Sequence, residues 1–191
     1  MRCAPQLRSL ARNLTPAVAK RLIQSVEYRS SLDERRRLWQ NYPIELPDGK
    51  KRVYFYHIRK TAGTSLNFAF LGTTGKDPET VYGDELVRKS WVNVDGFQVI
   101  GWNKHLITEG YYHYGFSHSA SHELRLPSDT FTITCLRDPV DRVISHYRML
   151  LGYARHDRKQ PAYIAEKSWL GNGFDDFLKR VPRQHLLRQL Y

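Results

Sequence analysis

A strand, a short loop of small residues and a helix follow one another between residues 52 and 71, and this unit constrains the fold more than any other part of the chain. Residues 52–57 (RVYFYH) are rich in β-branched and aromatic side chains, which favours a strand. The loop that follows contains Gly63 between alanine and threonine, and residues 66–71 have the composition of a helix start. Such a loop exposes backbone N–H groups at the positive end of the helix dipole, and Lys60 adds a positive charge there. The unit is therefore a candidate anion site, although it lacks the GxxxxGK[ST] spacing and many such loops are only tight connections.

Three later segments, residues 97–100, 111–116 and 129–136, have the composition of strands. The apolar run within the last of them indicates a buried parallel strand. Asp138 and Pro139 then open an amphipathic helix. Its predicted apolar side carries Val140, Val143, Ile144, Tyr147 and Leu151. Strands that alternate with helices predict an α/β fold with ligands bound at the ends of the strands.

The turn after the strand at residues 129–136 is a second candidate site. Arg137 lies at the end of that strand, Asp138 is suited to cap the following helix, and Pro139 fits its first position. Ser145 lies two turns further along the helix. An arginine and a hydroxyl are thus expected at one end of the sheet. The alternative is that the arginines of this segment only pair with its two aspartates.

The charge of the chain indicates an anionic partner. A net charge of +11 would suit nucleic acid, a membrane surface, a nucleotide or an acidic polysaccharide. The sequence has no zinc-finger spacing, RNA-binding aromatic motif or basic zipper, so we do not expect nucleic acid. Cys3 and Cys135 are the only cysteines, and they suggest neither a disulfide framework nor a CxxC metal site. A site for phosphates or sulfates, without a metal, is the favoured interpretation.

The N-terminal residues predict a helical arm. Thr15 and Pro16 suit an N-cap and a first helical position. Apolar residues then recur at helical spacing, at Val18, Leu22 and Val26. We expect an arm over residues 1–50 and one domain over residues 51–191. Because basic residues interrupt the apolar stretches of the arm, we expect no signal peptide or membrane span, and a cytoplasmic protein.

Taken together, residues 57–65 (HIRKTAGTS) and 136–147 (LRDPVDRVISHY) resemble a known pair of motifs. They are similar to the 5′-phosphosulfate loop and the 3′-phosphate motif of sulfotransferases that use 3′-phosphoadenosine 5′-phosphosulfate (PAPS). They resemble in particular the branch with the heparan sulfate 2-O- and 6-O-sulfotransferases and their bacterial relatives. The first loop of that family is commonly HIPKTAGTS, so Arg59 stands where proline is usual. The resemblance covers about residues 52–190 and implies a P-loop-like domain of three layers around a central parallel sheet.

The resemblance implies a role for each matched residue. Lys60 would contact the bridging and sulfuryl oxygens of PAPS. Arg137 and Ser145 would hold the 3′-phosphate, the group that distinguishes PAPS from ATP-like nucleotides. Backbone N–H groups of five residues would cradle the 5′-phosphate, namely Thr61, Ala62, Gly63, Thr64 and Ser65.

Transfer to an alcohol also needs a base for the hydroxyl proton, and a histidine of near-neutral pKa suits this task. A segment that follows a candidate strand resembles the family's segment with the catalytic histidine, and it makes His118 the first choice. His113 and His122 are the alternatives, and any of the three could be purely structural. His57 is expected to orient the phosphosulfate loop, and Glu123 to steer His118 or an acceptor hydroxyl.

The resemblance implies in-line transfer of a sulfuryl group from PAPS to a hydroxyl, with a carbohydrate as the expected acceptor. Basic residues near the predicted helix would suit an acidic glycan or form a solvated helix end, namely Arg148, Arg155, Arg158 and Lys159.

Two rival functions stay open. Members of the family usually continue beyond a segment like residues 183–190, whereas this chain stops at Tyr191. A truncated or inactive relative that binds the nucleotide without turnover is therefore one alternative. A small-molecule kinase is the other, and the missing GK[ST] and the lack of a clear magnesium-holding carboxylate after a strand disfavour it.

Overall fold

One mostly parallel sheet organises residues 31–86 and 89–182, which are the residues described by a computed structural model of the chain. Five strands of this part of the chain form the sheet in the order β2-β3-β4-β1-β5. Strand β1 pairs in parallel with β4 and β5, β4 pairs in parallel with β3, and β2 is antiparallel to β3. The carboxyl ends of β1, β3, β4 and β5 therefore lie along one edge. The strands are β1 (Arg52–Tyr56), β2 (Trp91–Val94), β3 (Phe97–Gly101), β4 (Tyr114–Ser117) and β5 (Thr130–Thr134).

Helices flank the sheet, so the predicted α/β class is confirmed. Residues 31–41 are helical and are called α1 here. The later helices are α2 (Gly63–Gly72), α3 (Lys104–Glu109), α4 (Pro139–His156), α5 (Pro161–Glu166) and α6 (Phe174–Arg180). A π-helical segment (Thr80–Leu86) and 3₁₀ turns at Pro47–Gly49, Ser121–Glu123 and Lys167–Trp169 complete the described elements.

Both faces of the sheet bury apolar side chains. Val53 and Phe55 of β1 belong to one hydrophobic cluster, whereas Tyr54 between them belongs to another. This alternation follows from the two-residue period of a strand. A strand buried on both faces reads as a continuous apolar run, which explains why β1 was recognisable from composition.

The prediction of a buried strand at residues 129–136 is wrong in its burial. Strand β5 is parallel to β1, as expected, but it lies at the edge of the sheet within the described residues. Phe131 is 43% exposed and Leu136 is 75% exposed. The physical reason is that composition reports the preference of a segment for a strand but not which elements pack against it.

The predicted apolar side of α4 also differs from the side that is buried. Val140 is 65% exposed, whereas Arg142, His146 and Leu150 are buried at a spacing of four residues. Two polar residues can occupy this side because each has a hydrogen-bond partner: Arg142 donates to the carbonyl of Arg59, and His146 bonds the carboxylate of Glu166.

Helix α1 is fixed to the domain through Arg35, which is 1% exposed. Its guanidinium pairs with Glu109, and its carbonyl accepts a 2.8 Å hydrogen bond from Gln98 of β3. The predicted helix start at Thr15 lies outside the described residues, as does the segment at residues 183–190, so the division between arm and domain stays a prediction. In the described ranges, no helix is both long and apolar enough to cross a membrane.

Candidate active site

A cavity of about 450 Å³ lies where the segments after β1, β4 and β5 meet. Parallel strands bring the residues after their carboxyl ends to one edge of the sheet, which is where α/β proteins bind ligands. His57 and Lys60 follow β1, His118 follows β4, and Arg137 follows β5. The cavity is lined by His57, Arg59, Lys60, Ala62, Gly63, Thr64, Tyr82, His118, Arg137, Ser145, Met149, Tyr153 and Ala162.

The loop between β1 and α2 has an unusual backbone. Lys60 and Ala62 have φ angles of 68° and 67°, in the left-handed region that non-glycine residues rarely adopt. The Thr61 hydroxyl donates to the carbonyl of Ile58 at 2.8 Å and supports this turn from its buried side. Turns of this kind gather backbone N–H groups into anion-binding concavities, and Ala62 is also the N-cap of α2. Strained backbone of this kind clusters at functional sites.

Gly63 is required at the start of α2 because the His57 ring lies against it. A Cβ at this position would be 1.8 Å from Nε2 of His57. The imidazole is buried, stacks on Phe55 with 5.2 Å between ring centroids, and has no partner for Nδ1 among the described residues. Burial, together with the nearby His118 and Arg59, lowers the pKa of His57 to about 3. His57 is thus neutral at physiological pH and serves as a wall of the loop.

His118 has one ring nitrogen fixed and one left as an acceptor. Its Nδ1 lies 2.7 Å from the carbonyl oxygen of His57. A carbonyl can only accept, so Nδ1 carries the hydrogen and Nε2 carries the lone pair. Burial lowers the pKa of His118 more than this hydrogen bond raises it. The imidazole is therefore neutral near pH 7 and able to take a proton.

The other two candidate histidines lie outside the cavity lining. In His113, Nδ1 accepts from the backbone N–H of Gln98 at 2.8 Å, and Nε2 lies 2.7 Å from the carbonyl of Tyr42. Both of its nitrogens serve the packing of β3 and the segment after α1. His122 is exposed on the Ser121–Glu123 turn, and Glu123 of that turn pairs with Lys104.

The second sequence segment contributes Arg137 and Ser145 to the cavity. The Asp138 carboxylate caps α4 by accepting from the N–H groups of Val140 and Asp141 at 2.9 and 3.0 Å, and Pro139 is the first helical residue, as predicted. The Asp138 carboxylate thus serves the helix end, and Arg137, which is exposed, lines the cavity.

The electrostatics of the cavity favour an anion. Burial lowers the pKa of Lys60, and the charges of Arg59 and Arg137 lower it further, so these cations are close enough to repel one another. Among the described residues that line the cavity, none is acidic. In residues 31–86 and 89–182, no group of three or more His, Cys, Asp or Glu residues could hold a metal ion. A ligand with negative groups would relieve the repulsion among the cations.

The cavity lining differs in part from the predicted set. Ala62, Gly63 and Thr64 line it, whereas Thr61 is buried beneath the loop and Ser65 is exposed outside the lining. Sequence reasoning missed four lining residues: Tyr82, Met149, Tyr153 and Ala162. Met149 and Tyr153 follow Ser145 at four-residue spacing on α4, a signal that could have found them once Ser145 was chosen. Tyr82 lies on the π-helical segment, which no periodic pattern in the sequence predicts.

The chain matches the Sulfotransferase family over residues 46–188 and belongs to that family. This match supports a transferase of sulfuryl groups and includes both sequence motifs, β1 to β5 and the cavity. No curated protein and no solved structure shows a significant match to the chain.

Proposed function

We propose that the protein transfers a sulfuryl group from PAPS to a hydroxyl of a carbohydrate, with His118 as the base. One observation carries this proposal: a single cavity is lined by Lys60 from the first motif, Arg137 and Ser145 from the second, and His118 from a third segment. These residues are far apart in sequence, and a purely structural role for each would not require them to meet.

The residues present fit PAPS as a ligand. A volume of about 450 Å³ lies within the range of about 300–1,000 Å³ that is usual for ligand pockets. The left-handed turn at Ala62 and the N-terminus of α2 suit one anionic group, while Arg137 and Ser145 suit a second. PAPS supplies an activated sulfuryl group and a separate 3′-phosphate. This division between two anion sites matches the two motifs.

The protein side of the reaction needs a proton acceptor and a stabilised leaving group. Nε2 of His118 would accept the hydroxyl proton of the acceptor, because Nδ1 is already committed to the carbonyl of His57. Lys60 would stand beside the charge that develops on the departing phosphate, where a fixed cation is most effective. A neutral His57 adds no positive charge that would compete with Lys60 for the ligand.

The family resemblance and the exposed basic residues of α4 and the turn after it support a carbohydrate as the acceptor. Arg148 and Arg155 are exposed on the helix, and Arg158 and Lys159 follow it. They would attract the carboxylates or sulfates of an acidic glycan.

The test is the affinity for adenosine 3′,5′-bisphosphate, the product nucleotide, compared with AMP. Both are measured by calorimetry on the wild type, on Arg137→Ala and on Arg125→Ala, a control with an exposed arginine outside the cavity lining. A charge-assisted contact contributes about 1.5–3 kcal/mol, so Arg137→Ala should weaken bisphosphate binding by about one to two powers of ten. AMP binding should change little in either variant. Equal affinities of the wild type for the two nucleotides would refute the proposal.

A further inference from the structure

A buried ionic network links the two motifs through a residue that belongs to neither. Nη1 and Nη2 of Arg59 donate to Oε1 and Oε2 of Glu166 at 2.5 and 3.3 Å. Nε2 of His146 lies 2.7 Å from Oε2 of the same carboxylate and must carry the hydrogen, since an ionised carboxylate only accepts. Glu166 is 6% exposed and His146 is 1% exposed. Glu166 is the last residue of α5.

At each anion site, a residue of the network is the immediate sequence neighbour of a residue of the site. Arg59 is adjacent in sequence to Lys60, and His146 is adjacent to Ser145. A second link runs directly between the motifs, because Nε of Arg142 donates to the carbonyl of Arg59 at 2.9 Å. The loop after β1 is therefore fastened to α4 at two points, by a backbone carbonyl and through Glu166.

The carboxylate of Glu166 is charged in the folded protein. Burial by itself would raise the pKa of Glu166, but the hydrogen bonds from His146 and Arg59 outweigh burial and lower it to about 2. A buried charge of this kind requires all of its partners, so the three side chains are held in one arrangement.

We propose that Glu166 is a positioning residue that fixes the separation between the anion site at Lys60 and the anion site at Arg137 and Ser145. This inference rests on the proposed function, because the separation matters only for a ligand that occupies both sites. One nucleotide with phosphates on both the 3′ and the 5′ oxygens of its ribose then finds both sites at the correct distance without having to order the loop itself.

Electrostatics and positioning predict opposite results when Glu166 loses its charge. Glu166→Gln makes the surroundings of the cavity more positive, so a purely electrostatic role predicts tighter binding of an anion. The same change weakens the hold on Arg59, so a positioning role predicts weaker binding of a ligand that must span both sites. The sign of the effect therefore distinguishes the two explanations.

The experiment measures three probes by calorimetry: adenosine 3′,5′-bisphosphate, AMP and 3′-AMP. In Glu166→Gln, affinity for the bisphosphate should fall about tenfold or more, as is usual when a supporting residue of a site is lost. Affinities for the two monophosphates, which need one site each, should change less than about threefold. Glu45→Gln removes an exposed carboxylate outside the cavity lining and should leave all three affinities unchanged. Unchanged or tighter bisphosphate binding in Glu166→Gln would overturn the proposal, as would an equal loss for all three probes.

Hydrogen exchange of the ligand-free protein separates this proposal from the proposed function. The backbone amide of Leu66, which donates to the loop carbonyl of Ala62, should exchange about tenfold faster in Glu166→Gln, while amides of β1 and β4 keep their wild-type rates. If the Leu66 amide keeps its wild-type protection, or if β1 loses protection to the same extent, Glu166 does not position the loop. A wild type that fails to prefer the bisphosphate over AMP would refute the sulfotransferase function, and hydrogen exchange would still decide what Glu166 does.

Discussion

Gly63→Ala should destabilise the loop after β1, because the added methyl group would overlap the ring of His57. The new Cβ would lie 1.8, 1.9 and 2.6 Å from Nε2, Cδ2 and Cε1 of His57. The imidazole is a rigid ring, and it is held by the stack on Phe55 and by the contact with His118, whose rings are 5.2 and 4.4 Å away. It cannot move without shifting these neighbours. Overpacking of this kind costs about 1–3 kcal/mol of unfolding free energy.

Urea denaturation gives the unfolding free energies of the wild type, Gly63→Ala, His57→Ala and the double variant. Because the cost comes from one clash, Gly63→Ala should cost about 1–3 kcal/mol in the wild type and close to nothing when His57 is already alanine. Gly152→Ala is the matched control, since a Cβ there meets nothing within 4 Å. As a helix-interior glycine it should gain about 0.5–1 kcal/mol on becoming alanine.

The reasoning is refuted if Gly63→Ala is as stable as the wild type, or if its cost is the same in the absence of the His57 ring. The first result would mean that the ring does not lie against Gly63. The second would place the cost in the backbone of α2 instead of in the contact.

Three further predictions concern charge and protonation. Lys60→Ala should lower the rate of sulfuryl transfer about a hundredfold or more in a radiolabelled PAPS assay. It should lower the affinity for adenosine 3′,5′-bisphosphate, measured by calorimetry, by less than about tenfold. Equal losses of rate and affinity would show that Lys60 has no role in the transfer step. His118→Ala should keep bisphosphate binding and lose about 10²–10⁴-fold in the rate of sulfuryl transfer, whereas a substitution of the exposed His122 by alanine should leave the wild-type rate. Because the pKa of His118 is lowered, the wild-type rate should stay constant until the pH falls below 6.5. Acid should destabilise the fold. Because the pKa of His57 is about 3 in the folded protein, the unfolded chain binds a proton below pH 6.5 that the folded chain does not bind. The unfolding free energy should therefore fall by up to about 1.4 kcal/mol for each pH unit below 6.5. Glu166, with its pKa lowered from 4.5 to about 2, adds to this loss only below pH 4.5. His57→Ala should therefore reduce the fall in unfolding free energy between pH 6.5 and 4.5, as measured by urea denaturation, and the part that remains comes from His113 and His118, whose pKa values are also lowered.

Sequence reasoning succeeded where structure depends on neighbouring residues. The cap at Asp138 and the helix start at Pro139 follow from the properties of two adjacent side chains, and the structure has both. The start of α2 was predicted less well, because residues 66–71 have the composition of a helix start whereas the helix begins at Gly63. The hairpin between β2 and β3 was missed although its signal was present. Asp95 and Gly96 adopt φ angles of 51° and 97°, which is the conformation that an Asp-Gly pair between two apolar runs predicts.

The parts that could not be predicted depend on distant partners. Nothing in the sequence near Phe131 says that β5 is the edge strand among the described strands, because an edge is defined by which strands pair elsewhere in the sheet. The buried state of His146 likewise depends on Glu166, and the contact of Glu166 with Arg59 joins residues 107 positions apart. The position of the three candidate histidines depends on distant partners in the same way: His118 lines the cavity and the other two do not, while the identity of the base stays a prediction.

The network at Glu166 also gives a physical account of the arginine in the first motif. A proline at this position, as the resemblance leads one to expect, would fix one backbone dihedral angle and so restrain the loop locally. Arg59 gives no such local restraint, but its guanidinium is held by Glu166 and its carbonyl by Arg142. A proline would offer the same carbonyl to Arg142, so what Arg59 adds is the contact of its side chain with Glu166 of α5, which in turn bonds His146 of α4. Because His146 is adjacent to Ser145, this side-chain contact gives the two proposed anion sites a shared support that a proline would not give them.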